Sequence, residues 1–169
     1  MRWLGELLKA IGEAMAPAPQ PPAHNSFKRI TETYTDVRSE LEASLECMIK
    51  DESRFKPDYG TTFTDREGWV KAVPWLTFPA EYYTGEELDC DDYARKAAAE
   101  ASFLFKLNGC FQAWGYRPDP SDPNKQVRHA WALGYIGNKK YVMWEPNAGF
   151  DETGRLLEER DGYVPESWK

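Results

Sequence analysis

Apolar residues first recur at helical spacing at Trp3, Leu4, Leu7, Leu8, Ile11 and Met15, with Arg2, Glu6, Lys9 and Glu13 between them. This pattern predicts an amphipathic helix over residues 1–16. Ala16 to Ala23 reads APAPQPPA, a semi-rigid polyproline spacer. The chain therefore divides into an arm at 1–16, a Pro-rich linker at 17–26 and a domain at 27–169. Val37, Leu41, Leu45, Met48 and Ile49 outline a second helix, capped by Thr35 or Asp36. Residues 51–83 show no regular period. Within them GWVKAVPWLTF reads as buried groove lining, and Pro74 excludes a regular central strand.

The strongest helical signal begins at Cys90 and runs to about Leu107. Cys90, Ala94, Ala97, Ala101 and Leu104 fall on one face. Thr84 with Glu87, or Asp89 alone, supplies the N-terminal cap, and Asn108-Gly109 ends the helix. Small alanines on one face let such a helix press closely on a sheet. Strand patterns follow at Cys110 to Tyr116, Val127 to Ile136 and Lys140 to Glu145, with a hairpin turn at Gly137-Asn138 and a closing strand near Gly162 to Val164. The fold class expected is α+β, a Cys-bearing helix on an antiparallel sheet of four to six strands.

Composition narrows the function. The net charge is −7 and no Lys/Arg block occurs, which argues against a nucleic-acid partner. The three cysteines, Cys47, Cys90 and Cys110, form neither a disulfide framework nor a zinc spacing. A free thiol in a reducing compartment fits them better. The chain start lacks a signal-peptide pattern and no run has membrane-spanning length, so a cytoplasmic or virion-associated location is expected. The 1–16 stripe needs a partner. Its charges cancel, which favours docking to a protein or sister subunit over a membrane surface.

Three residues carry candidate chemistry. Cys90 lies at a helix N-terminus, where unpaired N–H groups and the dipole favour a thiolate. His129 is one of two histidines, and the other, His24, is in the linker. Glu145 ends the next strand, where a carboxylate can fix the histidine's tautomer. The hairpin sets a condition. His129 and Glu145 share a face only if paired residue numbers sum to an even value. A two-residue loop at 137–138 gives an odd sum, so the pair requires an odd loop or a bulge. Glu81, Glu86, Glu87, Asp89, Asp91 and Asp92 crowd the same region and would raise the Cys90 pKa. They read either as a solvated helix start or as ligands to a bound Ca²⁺.

Asp89-Cys90-Asp91-Asp92-Tyr93-Ala94, then His129-Ala130-Trp131, then Tyr141-Val142-Met143-Trp144-Glu145-Pro146-Asn147 form an ordered set. Over about residues 65 to 150 the chain resembles the transglutaminase-like cysteine peptidases of the papain-like clan. It is most similar there to the calcium-dependent protease domain of a mushroom agglutinin and to related bacterial and phage domains. The resemblance implies a papain/transglutaminase-like fold and thiol-dependent acyl transfer at an amide of a peptide or protein. Cys90 would be the nucleophile, His129 the base and Glu145 the third member. It also implies calcium near Asp89, Asp91, Asp92 and Glu86, and no organic cofactor. Asn147 stands where the family pattern usually has Gln, and no Gln precedes Cys90 at the papain distance. That leaves Tyr82, Trp75 and Asn147 as oxyanion or orienting candidates beside the Cys90 N–H. The rival readings are a catalytically silent scaffold in a phage or other assembly, and a cell-wall endopeptidase.

Overall fold

A computed structural model describes residues 19–45, 60–82, 84, 89–150, 154–158 and 161–168. The helical arm, Met48, Ile49, Cys47, Glu86 and the Thr84-to-Glu87 capping box fall wholly or partly outside the described residues. Among the described residues no helix is long and apolar enough to cross a membrane.

The described elements are, in order, β1 (Ile30–Thr33), α1 (Tyr34–Leu45), β2 (Gly60–Phe63), α2 (Arg66–Ala72), α3 (Cys90–Phe105), β3 (Cys110–Asp119), β4 (Asp122–Gly137), β5 (Lys140–Trp144) and β6 (Val164–Trp168). The main sheet has four antiparallel strands in the order β5-β4-β3-β6, and β1 pairs with β2 separately. The class is α+β, as the apolar pattern predicts.

Each face of the main sheet buries one part of the core. On one face lie α3 with its Ala97, Ala101 and Phe105, and from the sheet Cys110, Ala132, Val142 and Trp144, joined by Trp69 and Leu76. On the other, Val37, Leu41 and Leu45 of α1 meet Phe111, Ala113, Trp131, Leu133 and Tyr135. Side chains alternate along β4, so even-numbered residues face α3 and odd-numbered residues face α1. The segment GWVKAVPWLTF buries Trp69, Ala72, Val73 and Leu76, while Val70 stays 55% exposed. It does so as helix α2 followed by a 3₁₀ turn at Val73–Trp75, with Pro74 inside the turn. Trp69 lies so close to Gly134 that an added Cβ there would meet its ring at 2.6 Å.

Several expected boundaries shift. Helix α1 starts at Tyr34, and Thr33 does the capping instead of Thr35 or Asp36. The Thr33 hydroxyl accepts from the Asp36 N–H at 3.2 Å. Helix α3 starts at Cys90 with Asp89 as its cap, and Asp89 and Asp92 form a capping box. Such a cap contributes about 1 kcal/mol. The helix ends one turn earlier than Asn108-Gly109, because Lys106 adopts a left-handed conformation with φ 60°. Leu104 was expected on the buried face but is 38% exposed, and Phe105 takes the buried position. Strands β1 and β2 and helix α2 carry no clear period in the sequence.

The hairpin turn lies on Asn138-Lys139, both at positive φ, one residue beyond the expected pair. Gly137 pairs with Lys140, but Tyr135 pairs with Tyr141, so Ile136 is an extra residue on β4. This bulge converts the odd register of the turn into an even one. Leu133 then faces Met143, and the same count sets Glu145 level with Trp131.

Gly115 pairs with His129 and also lies against β6, where an added Cβ would stand 2.0 Å from the Val164 carbonyl oxygen. Gly115→Ala is expected to cost about 1–3 kcal/mol in urea unfolding. An unchanged unfolding midpoint would show that β6 does not press on β3 this closely.

Candidate functional site

The centre of the site is a buried acid–imidazole pair. Glu145 Oε2 lies 2.6 Å from His129 Nε2, with Glu145 0% and His129 6% exposed. A buried carboxylate needs its oxygens answered. Oε1 accepts the Asn147 N–H at 3.1 Å, and the Tyr163 hydroxyl donates to Oε2 at 3.4 Å. The 145–148 segment is itself held by Phe78, whose N–H donates to the Pro146 carbonyl at 2.7 Å and whose carbonyl accepts the Ala148 N–H at 2.8 Å. Asn147 is buried but does not touch the imidazole through its amide. Its Oδ1 accepts the Gly149 N–H at 2.8 Å, which fixes the turn after β5.

Aromatic rings dry the imidazole. Phe150 meets it edge-on at 4.9 Å, Tyr163 lies at 6.2 Å and Trp131 stacks at 6.3 Å between ring centroids. With Nε2 committed to Glu145, Nδ1 is the nitrogen left for other chemistry.

Cys90 reaches the same strand from the α3 side. The backbone of Ala130, the residue after His129, lies near enough to its thiol to draw the thiol pKa down. Strand alternation sends the His129 ring toward the α1 side, and among the described residues no hydrogen bond joins thiol to imidazole. The structure therefore brings Cys90, His129 and Glu145 around one stretch of β4. Burial pushes the Cys90 thiol pKa up, the Ala130 N–H pulls it back, and the charges of Asp89, Asp91 and Glu145 push it up further. Burial and the nearby carboxylates thus oppose the thiolate that a helix N-terminus favours. Cys110 is fully buried and its pKa is also raised by burial.

Asp89, Asp91 and Asp92 do converge, with one oxygen of each within 4.8 Å of the others. Their oxygens already have partners. Asp89 accepts from the Asp91 N–H at 3.0 Å, and Asp92 accepts from the Asp89 N–H at 3.4 Å. Arg95 spans Asp91 at 2.5 Å and Asp92 at 3.1 Å. Calcium asks for about six to eight oxygens. The three acids alone, converging through one oxygen each, supply fewer than that, and Arg95 supplies a countercharge to Asp91 and Asp92. Hydrogen bonding between Asp89 and Asp91 holds the Asp89 carboxyl below its usual range and raises that of Asp91.

Of the other candidates, Trp75 packs on the α3-side core, and the Tyr82 side chain lies outside the described residues. The structure adds residues that the sequence did not single out. Gln112 on β3 donates from Nε2 to the Asp91 carbonyl at 3.0 Å, tying the start of α3 to the sheet. Phe150 and Tyr163 enclose the imidazole. Neither bears a motif, and only the return of β6 and the turn after β5 bring them there.

Neutralising a carboxylate beside the thiol removes a charge that opposes thiolate. Asp91→Asn is therefore expected to move the pH profile of Cys90 alkylation downward, by less than about one pH unit. A profile that stays put or moves upward would show that Asp91 does not act on the thiol.

Neither a protein-family model nor a curated protein sequence matches the chain. Among solved structures it is similar to PSL1a in complex with E64, at a TM-score of 0.50 and 18% identity, over 82% of this chain and 50% of that one. It also matches Polyporus squamosus lectin, a mushroom agglutinin, bound to the human-type influenza-binding epitope Neu5Aca2-6Galb1-4GlcNAc, at a TM-score of 0.47 and 17% identity, over 82% of this chain and 49% of that one. The chain spans about half the length of the structures it matches. At this identity, the likeness to PSL1a concerns the fold.

Proposed function

We propose that the chain is a papain/transglutaminase-like thiol acyltransferase or hydrolase acting on peptide amides. One observation carries the reading: a buried Glu145 fixes Nε2 of His129, and the Cys90 thiol lies near the next residue along the strand, Ala130. This arrangement leaves Nδ1 to take the thiol proton once the Cys90 side chain turns from Ala130 toward the ring. Resting sites often tighten only with substrate. The thiolate then adds to the amide carbonyl. As the C–N bond breaks, the imidazolium gives its proton to the leaving amine, and a thioester remains on Cys90. Water, activated by the same imidazole, hydrolyses the thioester; an amine in place of water completes a transamidation. Glu145 stabilises the imidazolium and holds its tautomer, while the ring of aromatics keeps both charges out of water.

The raised thiol pKa, and the missing thiol–imidazole bond among the described residues, favour a second reading, a catalytically silent scaffold. Iodoacetamide labelling at neutral pH separates the two. In an active enzyme Cys90 labels faster than the buried Cys110, His129→Ala slows that labelling, and peptide-amide turnover falls by about 10²–10⁴. E64, the compound held by PSL1a, serves as a second probe. Equal labelling of Cys90 in wild type and His129→Ala, with no turnover in either, would establish the scaffold. Excess chelator is expected to leave the labelling rate unchanged. A chelator-sensitive rate would return the Asp89, Asp91 and Asp92 cluster to the calcium role that the family resemblance implies.

A further inference from the structure

We propose that Arg117 is a positioning residue for His129: it holds the two rings, Phe150 and Tyr163, that enclose the imidazole, and it reaches the acid–imidazole pair only through them. This deepens the acyl-transfer reading, in which His129 is the base, but it stands on contacts that do not involve the thiol.

The strand register brings Arg117 to this place. Gly115 on β3 lies opposite His129 on β4. Side chains alternate along a strand, so Arg117 is the next residue of β3 on the face that carries the His129 ring. Gly115 leaves the position directly across from the ring without a side chain, and the long diagonal neighbour reaches over instead. The Arg117 guanidinium carbon lies 4.0 Å from the centroid of Phe150, and Phe150 meets the imidazole edge-on at 4.9 Å. A cation is attracted to the negative face of an aromatic ring. That attraction fixes the plane in which Phe150 meets His129.

Tyr163 is the second hold. Arg117, Phe150 and Tyr163 line one cavity of about 240 Å³, although they come from β3, the turn after β5 and the approach to β6. The Tyr163 ring lies 6.2 Å from the imidazole and 5.1 Å from Trp131, at 90° to the latter. Its hydroxyl donates to Glu145 Oε2 at 3.4 Å. Burial and the Glu145 charge raise the Tyr163 pKa, and the nearby Arg117 guanidinium pulls it back. A hydroxyl whose oxygen faces a cation is a better donor, because hydrogen-bonded groups polarise one another. Arg117 thus tightens the bond from Tyr163 to Glu145. Asp119 also attracts the guanidinium, but its carboxylate accepts the Ser121 N–H at 2.8 Å and the Ser121 hydroxyl at 2.7 Å. Among the described residues no ion pair or hydrogen bond joins Arg117 to Glu145 or His129, so its influence on them runs through the two rings.

The test uses the full chain with nitrogen-labelled histidine rings. His24 and His129 are the two rings in the spectrum, and His129→Ala assigns them. The readout is the exchange with water of the proton between His129 Nε2 and Glu145. Arg117→Gln, which removes the cation, is expected to speed that exchange about tenfold or more, and Arg117→Lys to speed it less. Tyr163→Phe should speed it too, and combined with Arg117→Gln it should give less than the product of the two single effects. In peptide-amide turnover, Arg117→Gln should lower kcat about tenfold and leave KM unchanged, because it displaces the base and not the substrate. Unchanged exchange in Arg117→Gln, equal effects of Arg117→Gln and Arg117→Lys, fully independent effects of Arg117→Gln and Tyr163→Phe, or a raised KM at unchanged kcat would each overturn the proposal. If Arg117→Gln does not fold, Arg117→Lys replaces it beside Tyr163→Phe, and independent effects there overturn the proposal. A chain without turnover still gives the ring result, and a ring proton indifferent to Arg117 leaves Cys90 labelling intact, so the two failures are told apart.

Discussion

Ile136 is the extra residue in the β4–β5 hairpin, and the site depends on it. The turn at Asn138-Lys139 alone pairs Gly137 with Lys140 and would send Glu145 to the face opposite His129. One inserted residue reverses every side chain beyond it, because strand side chains alternate with a period of two. With the bulge in place, Trp131, Leu133 and Tyr135 face α1, Ala132 and Trp144 face α3, and Glu145 reaches His129. The same alternation fills both halves of the core. A slip would therefore cost both apolar layers as well as the acid–imidazole pair, and the packing enforces the register that the chemistry needs.

The electrostatics follow from where that register puts charge. Glu145 is fully buried, and its oxygens are answered by the His129 ring, the Asn147 N–H and Tyr163. Buried carboxylates are tolerated on such terms. Two opposed influences meet at Cys90. A helix start and the Ala130 N–H favour thiolate, while burial and three carboxylates disfavour it. Burial is larger than the Ala130 and carboxylate contributions, and it pushes the thiol pKa up. Arg95 pairs with Asp91 and Asp92 on the outer side of the helix and offsets part of the negative charge at the start of α3. The acids therefore act on the thiol as a cluster already bridged by a cation.

Local sequence determined the parts that depend on near neighbours. Asp89 before Cys90 caps α3, the alanines at 94, 97 and 101 are buried on one face, and the three strand patterns appear as β3, β4 and β5. A hairpin rule on residue numbers also stated what the register had to be for Glu145 to meet His129. These are legible because caps, helical period and strand alternation act over a few residues.

Tertiary structure decided the rest. It chose the bulge over a three-residue loop, since both give an even count and only packing separates them. It made Leu104 exposed and Phe105 buried, because Phe105 lies one turn beyond buried Ala101 on the face that packs on the sheet. It formed β1 and β2 from segments about thirty residues apart, where neither carries a period of its own. It also brought Gln112, Phe150, Tyr163 and Arg117 to the site from β3, the turn after β5 and the approach to β6. No local pattern marks those residues, because their roles arise from contacts that exist only after distant strands have paired.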